Sequence, residues 1–124
     1  QVLMNLLSNA IDALEEKDKQ RTPEEIQDNP SEIQISTSLL AQDWVEVRIA
    51  DNGTGIEDGL LSQLFDPFFT TKVVGKGTGL GLSISYQIIT EKHNGKLYCQ
   101  SELGQGTEFV IEIPVRQNTA KVAS

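Results

Sequence analysis

Three stretches of this chain alternate apolar and polar residues with a period of two, and that alternation restricts the fold more than any other feature. Ile33, Ile35, Thr37 and Leu39 alternate with Glu32, Gln34, Ser36 and Ser38. Val45, Val47 and Ile49 alternate with Trp44, Glu46 and Arg48, and Phe109, Ile111 and Ile113 run to a stop at Pro114. Side chains of a strand point alternately to opposite faces, so each stretch predicts a strand with one buried face. Gln42-Asp43 breaks the first pair and predicts a hairpin. A fourth strand, Leu97 to Ser101, reaches the last one through the turn Leu103-Gly104-Gln105-Gly106.

Helical periods flank these strands. Leu3, Leu6, Leu7, Ala10 and Leu14 predict an amphipathic helix over about residues 2–16. Leu80, Ile84 and Ile88, flanked by Leu82 and Ile89, predict a second, stopped at Asn94-Gly95. Leu60, Leu61, Leu64 and Phe65 predict a short helix ended by Pro67. Residues 15–31 are charged, hold two prolines and lack an apolar period, so they read as a solvated loop; residues 68–79 read as a flexible one. The order contains no regular βαβ repeat. It predicts an α+β domain, a two-layer α/β sandwich with a mixed, mostly antiparallel sheet and helices on one face.

At 124 residues the chain has one domain's length. Its 10 Lys+Arg against 18 Asp+Glu give a formal charge of −8, which argues against general nucleic-acid binding and against contact with an anionic membrane surface. An anionic ligand would need a positive field built locally. A single cysteine, Cys99, excludes an internal disulfide and agrees with a reducing cytoplasm. No apolar run approaches roughly 18 residues, so no transmembrane helix is predicted. The chain opens inside a helical pattern, Gln1-Val2-Leu3-Met4-Asn5, and is expected to be a segment of a longer protein. Residues 1–115 are expected to form the domain and residues 116–124 a polar tail.

Asp51 shares the parity of Val45, Val47 and Ile49, so an unbroken strand would end with a carboxylate on the buried face. Such a carboxylate needs a donor, and an amine-bearing ligand would supply one. The alternative is that the strand stops first and Asp51 opens a turn. Thr107 shares parity with Phe109, Ile111 and Ile113 and raises the same question, its alternative being a bond to nearby backbone. Gly75-Lys76-Gly77-Thr78-Gly79-Leu80-Gly81 runs straight into the second long helix, beside Lys72. It is either a mobile linker or a phosphate cradle, since glycines allow close backbone approach and helix N-termini attract phosphate. It fits neither the Walker loop nor the dinucleotide fingerprint. Asn5, Asn9 and Asp12 share one face of the first helix, as Mg²⁺ ligands or as an ordinary polar face. Asp66-Pro67-Phe68-Phe69 reads equally as core or as a latch over a ligand, and His93 as structural.

In this order the segments resemble the ATP-binding catalytic domain of sensor histidine kinases, in the superfamily shared with gyrase B, mismatch-repair ATPases and heat-shock chaperone ATPases. Asn5-Leu6-Leu7-Ser8-Asn9-Ala10 resembles its asparagine box and Asp51-Asn52-Gly53-Thr54-Gly55-Ile56 its first glycine box. Phe65 to Lys72 resembles its phenylalanine box, Gly77 to Leu82 its second glycine box, and Gly104-Gln105-Gly106-Thr107 its last. The resemblance implies ATP and Mg²⁺ as ligands. Asn9 would coordinate Mg²⁺, with Asn5 on the same face of the ATP site. Asp51 would accept from the adenine amine, and Gly55 and Thr107 would complete adenine recognition, partly through water, with Gly53 and Ile56 also in the ATP site. Gly77, Gly79 and Gly81 would offer backbone around the phosphates, with Lys72 or Lys76 assisting and Thr78 and Leu80 also in the ATP site. Ile49, Ile56, Leu82 and Phe109 would wall the pocket, and residues 66–78 would form a mobile ATP lid.

Two departures stand out. Many members carry a basic residue where this chain has Asp12, and ATP-hydrolysing relatives carry a glutamate where it has Asn5. An amide cannot take a proton from water, so the site is expected to hold ATP for an incoming nucleophile. In the family that nucleophile is a histidine on a separate dimerisation domain, which then serves a response regulator. This chain holds neither, and alone it is expected to autophosphorylate poorly. An ATP-driven conformational module and a small serine kinase of the same fold are the alternative readings.

Overall fold

The computed structural model describes residues 2–41, 43–66 and 81–115. Helix α1 spans Val2–Asp18 and α2 Pro23–Asp28; strands β1 (Ile33–Leu40) and β2 (Trp44–Asp51) follow. A single turn, α3 (Asp58–Leu61), and α4 (Gly81–Gln87) precede β3 (Lys96–Glu102) and β4 (Gly106–Pro114). Among the described residues the four strands form one antiparallel sheet in the order β1-β2-β4-β3.

The odd-numbered residues of three strands make the core. Ile49, Leu97, Phe109 and Ile111 meet Leu6 of α1 and Ile89, placing the helices over one face. Each such side chain, fully buried, contributes on the order of 1.5–3 kcal/mol. Leu6, Ala10 and Leu14, the buried residues of α1, recur every four positions.

Four expectations need correction. Residues 15–31 are not an unstructured loop: α1 continues to Asp18, and α2 starts on a capping box. Thr22 Oγ1 accepts from the Glu25 N–H at 3.2 Å, and Glu25 accepts from the Thr22 N–H at 2.8 Å. Second, β1 lies at the sheet's edge, and the face expected to be buried is largely open. Ile33 packs on the core, but Ile35 is 58% and Leu39 73% exposed. Third, the second long helix buries Ser83 and Ser85, while Ile84 faces outward at 39%. Small serines admit α1 closely where isoleucine would hold it off. Fourth, that helix does not keep one period: Ile88–Lys92 is a π-helical turn. From this turn the Thr90 hydroxyl donates back to the Tyr86 carbonyl of α4 at 2.7 Å. The left-handed stop after it is Asn94, at φ 55°.

Candidate functional site

Strands β2 and β4 set Asp51 directly opposite Thr107. Both share the parity of Ile49 and Phe109, so both side chains belong to the helix-covered face. The strand therefore runs through Asp51 rather than stopping before it. Thr107 is buried and Asp51 half-buried. The carboxylate accepts from the Gly53 N–H at 2.9 Å and from the backbone of Thr107, and it feels the charge of Lys17. Burial still dominates and pushes the Asp51 carboxyl above its ordinary 3.8. A carboxylate has roughly four acceptor positions, so these two donors leave capacity for a third from outside the chain.

Ser101 of β3, expected only as the end of a strand, completes the cluster. Its hydroxyl accepts from the Ile56 N–H at 2.7 Å and donates to the Gly106 carbonyl at 2.8 Å. It also lies 2.9 Å from the Thr107 hydroxyl. With its one proton on Gly106, Ser101 accepts from Thr107, whose lone pairs stay available. The parity of Leu97, Cys99 and Ser101 was the signal that could have found it. Cys99 belongs to the same face; burial first, and then the Asp51 charge, push its thiol up to about 12.

Two glycines let the turns close on one another. Gly55 has φ +80°, and a Cβ there would strike the Glu102 carbonyl; Gly106 has φ +131°, and a Cβ there would strike the Asp51 carbonyl. The Gly104 N–H donates to the Thr54 carbonyl at 2.9 Å, linking the same two turns. Asp51, Gly53, Gly55, Ile56 and Thr107 are thus brought together as expected. Gly53 also abuts α1, since a Cβ on it would lie 3.0 Å from Ala13 Cβ.

On α1, Asn5 Nδ2 donates to Ser85 Oγ at 3.1 Å, tying α1 to α4; Ser85 is fully buried. Asn9 follows one turn later, half-buried. Gly81 opens α4 and Leu82 packs against the core. Phe65 and Tyr86 stack with centroids 5.0 Å apart, joining the α3 region to α4. Lys72, Lys76, Gly77, Thr78, Gly79 and Leu80 lie outside the described residues, as does the expected lid from residue 67 onward. Among the described residues no group of three or more His, Cys, Asp or Glu side chains could hold a metal. A groove of about 340 Å³ lies at the same strand ends, but most of its lining, including Gln100, Glu102 and Glu108, is of the opposite parity. Asp51, Ser101 and Thr107 also line it, so it borders the Asp51 cluster, while Glu102 and Glu108 give it a negative rim that would repel a phosphate.

The sequence family described as "Histidine kinase-, DNA gyrase B-, and HSP90-like ATPase" matches residues 1–117. The chain belongs to this family. As a histidine-kinase-type ATPase catalytic domain it is 41% identical over 118 residues to sporulation kinase E of Bacillus subtilis. That match takes in 95% of the chain and 14% of the relative, so the domain is a small part of such a protein. The solved catalytic domain of histidine kinase ThkA superposes with a TM-score of 0.69 at 38% identity, over 92% of this domain and 64% of that chain. Full-length ShkA, solved with AMPPNP, superposes with a TM-score of 0.73 at 26% identity, over 94% of this domain and 21% of that chain. Among the described residues no helix of the domain is long and apolar enough to cross a membrane.

Proposed function

We propose that the domain binds ATP with Mg²⁺ and presents the γ-phosphate to a histidine on a separate dimerisation domain of the same protein. The half-buried Asp51 carboxylate, held between Gly53 and Thr107 with acceptor capacity left over, carries this reading. The adenine amine is the donor it lacks. Thr107 and Ser101 supply hydroxyls beside it, and Ile49, Ile56, Leu82 and Phe109 supply apolar contact for the ring.

The polar face of α1 fits Mg²⁺ in its chemistry. The Asn9 amide oxygen is a hard ligand, and Mg²⁺ leaves its other positions to phosphate oxygens and water. When bound, the ion neutralises charge on the phosphates. The chain's own part is positioning: Asp51 and its neighbours hold the base, and the glycines and lysines of the 72–81 sequence would supply N–H groups and positive charge for the phosphates. Asn5 is turned to Ser85 and cannot act as a base for water, which favours transfer over hydrolysis. The imidazole nitrogen attacks the γ-phosphorus, ADP leaves, and the imidazole proton passes to solvent. The phosphoryl group then passes to a response regulator. We place the domain at residues 1–115, with a polar tail over 116–124, in the cytoplasm and without direct membrane or nucleic-acid contact.

Thermal unfolding with ADP·Mg tests the reading. A ligand at a hundred times its dissociation constant stabilises by about 2.7 kcal/mol. The native domain is expected to show that shift and Asp51→Asn to lose most of it. No shift in either protein would overturn the assignment. With ATP alone the isolated chain is expected to give no phosphorylated band.

A further inference from the structure

Asn52 sits between the carboxylate assigned to the base and the glycine that caps it, and every polar group it has is engaged. Its side-chain Oδ1 accepts from the Glu32 N–H at 2.8 Å, and its Nδ2 donates to the Pro30 carbonyl at 2.9 Å. Its backbone N–H donates to the Glu32 carbonyl at 3.3 Å, and its carbonyl accepts from Lys17 Nζ at 2.5 Å. One residue thereby ties the end of β2 to α1, to the loop after α2 and to the start of β1.

That loop is itself braced. Arg21 donates to the Asn29 carbonyl and to Asp18, each at 2.6 Å, and the Ser31 hydroxyl donates to Asp18 at 2.9 Å. Asn52 is therefore fixed to a framework, not to a second loose turn. The ladder between β1 and β2 ends at the pair Ile33 and Asp51, so beyond Asp51 no strand pairing holds the chain. At the first residue past the ladder the hold is Asn52; the next ties come only at Thr54 and Ile56. The Gly53 N–H that orients the Asp51 carboxylate comes one residue later and inherits its place from this bracket.

We infer that Asn52 is a positioning residue for base selection: it never meets the nucleotide, and it sets where the Asp51 carboxylate stands. The inference rests on the proposed purine role of Asp51, and the test separates the two. The probes are ADP and inosine diphosphate, whose base carries a carbonyl in place of the exocyclic amine. The readout is the ratio of their dissociation constants, which a general loss of stability does not move. The native domain is expected to prefer ADP, and Asp51→Asn to lose the preference. Asn52→Ala is expected to reduce it about three- to tenfold, the range for one or two hydrogen bonds. Asn52→Ser keeps a short acceptor and is expected to lie between; it also serves where the alanine variant fails to fold. In an Asp51→Asn background, Asn52→Ala is expected to leave the ratio alone. Asn52 variants with a lowered melting point and an unchanged ratio would overturn the inference while the purine reading stands. A native domain with no preference, indifferent to Asp51→Asn, would overturn the purine reading and the inference with it.

Discussion

On the outer face of the sheet Arg48 bonds Glu46 and Glu108, both at 2.6 Å, and Tyr98 donates to Glu112 at 2.7 Å. On the inner face Asp51 has neutral backbone donors and a lysine that bonds the Asn52 carbonyl. The outer carboxylate has what it needs: hydrogen bonding from Arg48, ahead of its charge, holds Glu46 below its usual 4.5. The inner one does not, and burial pushes it upward. The outer network answers its own charges within the chain. The inner one keeps spare acceptor capacity, which in the proposed reading the base of the nucleotide takes up.

The largest expected effect comes from closing the inner site sterically. Gly106→Ala forces a Cβ against the Asp51 carbonyl at a φ that L-residues avoid, and is expected to cost about 2–4 kcal/mol in denaturant unfolding. A variant as stable as the native chain would show that the β4 turn relaxes freely.

Acid should separate the faces by sign. Glu46 has a depressed pKa, so its contribution is present above 4.5 and is lost as pH falls through its folded value. Asp51 has a raised pKa, so its charge costs stability above its folded value, and that cost is relieved as pH falls toward 3.8. Melting points of the native domain, Glu46→Gln and Asp51→Asn between about pH 3 and 7 should reveal it. Glu46→Gln should narrow its gap from native on acidification, and ADP binding should weaken where Asp51 gains its proton. Parallel curves for all three would remove the contrast.

The smallest effect is expected outside. Arg48→Met keeps apolar cover over its neighbour Val110 while deleting the ion pairs, and should move the melting point by less than about 2 °C. A larger drop would mean that the outer network carries stability too.

The sequence made parts of this contrast legible and hid others for physical reasons. Parity carried Asp51 and Thr107 to the inner face, because period-two alternation survives to the last strand residue. Ser101 stays hidden because its role depends on lying opposite Thr107 across β3 and β4, a register that a single strand's alternation does not show. Helix α2 escapes a reading by charge, proline content and apolar period, because it buries none of its residues. Its start is written instead in Thr22, Pro23 and Glu25, whose capping needs no buried face. Ile35 and Leu39 show the converse: alternation reports which residues share a face, not whether anything covers it. Ser85 is invisible as core because the amide that satisfies its buried hydroxyl belongs to Asn5, eighty positions away.

The open face of β1 also decides how this domain behaves as a solute. An edge strand with bare leucine and isoleucine is a template for strand addition between molecules. At neutral pH the charge of −8 keeps copies apart. As carboxylates take up protons that repulsion fades while Leu39 stays 73% exposed, so the same acidification that eases Asp51 brings the chain toward precipitation. The domain's shelf life in acid is therefore a colloidal property of β1, governed by protein concentration and salt as much as by the fold.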